Sequence, residues 1–460
     1  MEYRETFFSL ITFLLLLSSC NYPQGTAADP SDSLLEAGSS ASSLPTGEQD
    51  FSARENHRTG LIYPKDLEYL GAFRLPAPSG GSSWEYSGHG LTFYPDGDPA
   101  GEEDGFPGSL FGFGHDHQLL VSEISIPAPV ISKNPADLPT ALTLQPFSDL
   151  TAGIFQAEQM TIPRAGIAYL ADPAPRLHFT FGQHIQDFEP SHGWAEIDLA
   201  ANKAAGPWRF NGYTNYVSND YLFEIPPEWA HLLGGGPLLA SGRAREGLWS
   251  GRGPALFAYA PGDLHSPLPP GGEITSVIPL LLYGEQQPGM PDLSSDPSRA
   301  VTEYREADHW WGGEWLTAGD RSAVVLAGTK ALGEEWYGFA NGVVWEYDCA
   351  EHTPPTCPDP PEWPYDNRGF WAEGFQAQLI FYDPHDLVQV ARGELESWQP
   401  QPYAVLVLDD YLFDPRLRVE DYKRDYLGAM AFDRQQGLIY LIERLADEYQ
   451  SLIHVWRINL

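Results

Sequence analysis

Short apolar runs recur along most of the chain, and Gly-, Pro- and Asp-rich turns separate them. Their length and alternation fit β-strands rather than helices. A first set is formed by 90–94 (GLTFY), 109–114 (SLFGFG), 119–126 (LLVSEISI) and 141–147 (ALTLQPF), with Pro95-Asp96-Gly97 as a hairpin turn. The same order returns at 166–170, 176–182, 193–199 and 208–213, and again at 221–225, 237–242, 254–259 and 276–284. A fourth set follows at 314–319, 323–329, 376–383 and 403–408. The last set, 427–433, 438–443 and 452–458, lacks its fourth strand, while 67–75 (LEYLGAFRL) stands alone ahead of the first set.

A missing strand at one end and a spare strand at the other predict ring closure. The expected fold is an all-β propeller of five four-stranded blades, with strand 67–75 completing the last blade. Each blade then buries both faces against its neighbours, so short strands with small residues near the axis suffice. An unread strand set within 284–308 would raise the blade number. A β-sandwich with long loops is the alternative. The resemblance is to propeller architecture, and no blade signature such as a Trp-Asp pair accompanies it.

The chain has 460 residues, 42% of them hydrophobic, enough for a large core. Lys and Arg number 26 against 63 Asp and Glu, a net charge of -37. That balance argues against a nucleic-acid partner, which needs a basic surface, and reads as a solvated acidic shell.

Residues 7–17 are an apolar run too short to span a bilayer. The Leu17-Ser18-Ser19-Cys20 motif that follows resembles a bacterial lipobox. The resemblance implies a signal peptide over 1–19, lipidation at Cys20, and export with a lipid anchor as the sole membrane contact. In a Gram-negative cell the anchor would sit in the outer membrane. An ordinary secretory signal is the alternative. Residues 20–60 are Ser-, Ala-, Gly- and Asp-rich and read as a flexible tether, leaving 61–460 as one domain, expected to be monomeric. In an exported chain, Cys349 and Cys357 are most simply a disulfide. They lie in a long excursion, 331–374, read as a lid or wall.

In a propeller, the loop entering each innermost strand and the loop joining its second and third strands share one face. The first two units send His89, His115, Asp116, His117, Arg164, His184, Gln186, His192 and Trp194 there. The third sends Asn219, Asp220, Tyr221, Arg243, Arg245, Glu246 and Trp249. The last two send Asp308, His309, Trp310, Glu314, Lys330, Lys423, Asp425, Glu443 and Arg444. Six of the thirteen histidines fall in this set. His89, His115, His117, His184 and His192 are candidate ligands for a divalent metal, zinc or calcium. The acidic loop 96–104 reads as a solvated turn rather than a calcium site.

Aromatics assigned to the same rim, namely Trp84, Trp194, Trp249, Trp310, Trp311, Trp336 and Tyr337, suit a carbohydrate or other small ligand, with Lys330 and Arg245 as polar partners. The expected function is therefore binding of a glycan or metal-assisted ligand by this face. A glycan-active enzyme is the alternative. A lyase would use Arg164 or Arg243 to neutralise a uronate and His117 or Tyr221 as base. A hydrolase would use Asp220 and Glu314.

Overall fold

The predicted strand sets form five antiparallel sheets in the computed structural model. It describes residues 59–459 apart from 102, 184–188, 214–217, 236–237, 244–250, 262–267, 287–292, 295, 346–348, 350–356, 363–364, 367 and 414–425. Strand β1 (Leu67–Arg74) precedes the first blade, which is β2 (Leu91–Tyr94), β3 (Ser109–Phe113), β4 (Val121–Ser125) and β5 (Thr143–Ser148). Blade 2 is β6 (Arg164–Leu170), β7 (Arg176–Gly182), β8 (His192–Ala195) and β9 (Ala204–Phe210). Blade 3 is β10 (Tyr221–Ile225), β11 (Leu238–Arg243), β12 (Ala255–Tyr259) and β14 (Val277–Leu281), with helix α1 (Pro227–Leu233) after β10. The short β13 (Glu273–Ile274) runs parallel to the outer edge of β9.

Among the described residues of 284–308, the strands are the two-residue partners β15 (Glu285–Gln286) and β16 (Leu293–Ser294), and the blades number five. Blade 4 is β17 (His309–Ala318), β18 (Arg321–Gly338), β19 (Gly369–Tyr382) and β20 (Ala404–Val407), with α2 (Pro384–Ala391) between the last two. Blade 5 is β21 (Leu427–Asp433), β22 (Leu438–Asp447) and β23 (Gln450–Ile458), completed by β1. The innermost strands β2, β6, β10, β17 and β21 neighbour one another in cyclic order.

The blades hold together because their strands are apolar on both sides. In β3, Leu110 packs towards blade 5 with Tyr440 and Ile442. Phe111 and Phe113 alternate to the other side and pack against Phe179 and Phe181 of blade 2. The innermost strands can crowd the axis because small residues line them. A Cβ on Gly428 of β21 would stand 2.5 Å from the carbonyl oxygen of Gly88 in blade 1.

Closure is a continuous antiparallel ladder from Leu67 opposite Ile458 to Arg74 opposite Leu452, with a bulge at Leu70. A buried chain of hydrogen bonds crosses it. His454 shares Nδ1 with the Tyr69 hydroxyl at 2.9 Å and Nε2 with Glu443 Oε2 at 2.8 Å. The Phe413 N–H donates to the same carboxylate oxygen at 2.9 Å.

The excursion read as a lid differs in detail. The β18–β19 ladder continues past Leu332 opposite Gly374 to Gly338 opposite Gly369, so much of it is an extension of blade 4. Cys349 and Cys357 form the expected disulfide.

Candidate functional site

All five innermost strands start on the same face, and side chains from all five blades meet near the axis there. The pivot is Trp311. A register shift between Trp310 and Gly312 makes Trp311 the bulged residue of β17. Arg164 of blade 2 lies with Cζ 4.1 Å from the indole centroid, and Arg444 of blade 5 with Cζ 4.9 Å from it. His89 of blade 1 is 5.4 Å away and His309 is 6.2 Å away, ring to ring. Trp311 is 4% exposed, so each cation–π contact is largely desolvated, where such contacts are worth about 2 kcal/mol.

Carboxylates offset these cations. Blade 3 supplies Asp220, whose Oδ1 stands 3.8 Å from Arg164 Nε and Oδ2 3.9 Å from Arg243 Nε. Blade 1 supplies Asp116, with Oδ2 3.9 Å from Arg444 Nη2. These are charge contacts at ion-pair range, longer than hydrogen bonds. Arg444 also donates through Nε to the Ser87 carbonyl at 3.2 Å. Its stem lies on Gly88, which has φ +145°, and a Cβ there would stand 2.6 Å from Arg444 Nε. Arg243 and Asp220 are buried, while Arg164 and Arg444 keep a small exposed edge of 9% and 12% of their side chains.

Several predicted residues lie elsewhere. Of the described members of the metal set, His89 packs on Trp311, and His115 and His117 flank Asp116, with ring nitrogens 3.4 and 3.9 Å from Asp116 Oδ1. His192 is sealed between blades 2 and 3, stacked on Phe210 at 4.1 Å and bonded to Ser191 and Ser241. Burial pushes its pKa down to about 3, so it is a neutral core group. Among the described residues, no group of three or more His, Cys, Asp or Glu is placed to hold a metal ion.

Tyr221 is buried as well. Its hydroxyl donates to the carbonyls of Ala255 and Arg243, and burial raises its pKa well above the usual phenol value. Lys330 is held by Asp308 Oδ2 at 2.7 Å and by the Glu303 carbonyl. Trp84 and Trp310 are core residues, and Trp194 lies under the Arg176 guanidinium, 4.3 Å from its ring. His184, Gln186, Arg245, Glu246, Trp249, Lys423, Asp425 and Cys20 lie outside the described residues.

Glu314 is buried in β17, beyond Trp311 along the strand, in the field of Glu224 and Arg434. Arg434 belongs to the turn on the opposite face and donates to the Glu224 carbonyl at 2.8 Å. Burial pushes the Glu314 pKa up to about 8, with Arg434 opposing and Glu224 adding to the rise. The unfolded chain releases this proton near pH 4.5, whereas the folded chain keeps it to about 8. The group therefore costs stability increasingly as pH rises across that window. A Glu314→Gln variant should gain stability relative to the parent between pH 5 and 8, measured as the difference in melting temperature. A constant difference across that range would contradict this assignment.

Two exposed rings of this face carried no signal in the strand pattern: Tyr86, just before β2, and Tyr449, in the β22–β23 turn. A comparison with known protein-family models found no match, and a search of curated proteins found no similar sequence.

Proposed function

We propose that the face around Trp311 binds an acidic carbohydrate and holds it without turning it over. The observation that carries this reading is the pair of guanidiniums, Arg164 and Arg444, set on one indole in a chain whose net charge is -37. A planar guanidinium suits a carboxylate, and the buried indole fixes both guanidiniums in place while each keeps a small exposed edge. Arg243 and Arg164 share the Asp220 carboxylate, at 3.9 and 3.8 Å. Two of the acid–base candidates, though not His117 or Asp220, are engaged elsewhere, which favours retention over turnover. Tyr221 has its hydroxyl hydrogen bound to backbone carbonyls, and Glu314 interacts with groups of the opposite face.

The test is calorimetric titration with oligogalacturonate, its methyl ester and a neutral oligosaccharide. Physiological salt shortens the Debye length to about 8 Å and screens the acidic shell. The acid should bind at least tenfold more tightly than the ester. Equal affinity for all three, or no affinity for the acid, would overturn the reading.

A further inference from the structure

At the boundary of blades 1 and 5, four rings stand in a row on the same face. Tyr449 and Tyr86 stack with centroids 5.4 Å apart and planes 28° apart. Tyr86 is 5.3 Å from His115, and His115 is 5.4 Å from His117. Three of the rings are open to solvent, Tyr449 at 59%, Tyr86 at 37% and the His117 side chain at 81%, while the His115 side chain between them is 28% exposed. Rings of this size are ordinarily mostly covered in a folded chain.

The backbone holds the row in place. Tyr86 has φ 53°, a left-handed conformation that bulky residues avoid and that the surrounding structure must maintain. Its N–H donates to the Tyr449 carbonyl at 2.8 Å, so the entry loop of blade 1 and the β22–β23 turn of blade 5 are joined at the two rings. The inner end of the row leads to the axis. His115 and His117 both face Asp116, and the second oxygen of Asp116 faces Arg444, which lies over Trp311.

We propose that this row is an extended subsite whose outward surface contacts successive sugar units of an acidic oligosaccharide while one of its carboxylates lies at the exposed edges of Arg164 and Arg444. The ligand is then a chain, not a single sugar, and Tyr86 and Tyr449 select for its length. This inference rests on the acidic-carbohydrate reading of the axial cluster. Tyr449 and Tyr86 cover one face of each other and the planes turn by 54° and 73° along the rest of the row, so the row offers sugars its outward ring surface for CH contact and its phenol and imidazole edges for hydrogen bonds to hydroxyls.

The experiment titrates galacturonate, digalacturonate and tetragalacturonate into the parent protein and two variants. Tyr449→Ala removes the most exposed ring. Tyr86→Asn removes the second while keeping a residue that tolerates the left-handed backbone. In the parent, affinity should rise at least tenfold from the monomer to the tetramer. Each variant should lose most of that gain and keep its affinity for the monomer within about twofold. A tetramer bound no better than the monomer, or variants that bind the tetramer like the parent, would overturn the subsite and leave the axial reading standing. Absence of binding at every length would overturn both.

Discussion

A His454→Leu variant should lose about 3 kcal/mol of stability, the largest effect expected of any single change at the ring closure. His454 and Glu443 are both fully buried and lie 2.8 Å apart. Leucine fills a similar volume but removes the ring nitrogen that faces the carboxylate, and it leaves the Tyr69 hydroxyl without its acceptor or donor on β23. The cost is the loss of two interior hydrogen bonds at once, with polar groups of Glu443 and Tyr69 facing an apolar side chain, which exceeds the net value of one ordinary hydrogen bond. Chemical denaturation measures it. Adding Glu443→Leu should recover part of the loss, because the double variant no longer sets a buried carboxyl group against leucine, although the Phe413 N–H then loses its acceptor. A single variant within about 0.5 kcal/mol of the parent would show that closure depends on the strand ladder alone.

An Arg164→Gln variant should bind tetragalacturonate about a hundredfold more weakly, about 2.7 kcal/mol. Arg164 lies on Trp311 and keeps an exposed edge, so a ligand carboxylate at Trp311 meets it directly. Glutamine retains polarity and much of the length but neither the charge nor the planar fork. Asp220 keeps Arg243 in that variant, so the buried carboxylate is not stranded and the fold should survive. Unchanged affinity, with an unchanged melting temperature, would remove Arg164 from the site.

The architecture was legible because a propeller repeats its strand sets, and the unmatched strand at 67–75 could pair only with the last set. The β1–β23 ladder is that pairing. The shared face was legible too, since the starts of the innermost strands lie together in any propeller. Side-chain direction was harder to read. The apolar pattern starts the strand at 314 and leaves 309–311 to the loop before it, yet they begin β17, and a single bulge gives adjacent tryptophans opposite fates. Trp310 packs into the core between blades 3 and 4, and Trp311 goes to the axis.

His192 looked like a rim residue because it lies beside a loop. Its ladder position opposite Thr180 instead turns it towards blade 3, and Ser241 and Phe210 then fix it there. Tyr86 and Tyr449 lie outside the regular strands, where period-two alternation says nothing about exposure. Their row exists because two loops from neighbouring blades meet, a tertiary fact with no local signature.

The most direct measurement is a crystal structure of the protein soaked with tetragalacturonate. The expected result is a carboxylate about 3 Å from the Arg164 or Arg444 guanidinium, with sugar rings running outward over Tyr86 and Tyr449. Ordered ligand at another place, such as the groove between Val277 and Ser397 on the side of blade 3, with the Trp311 cluster unchanged, would contradict it.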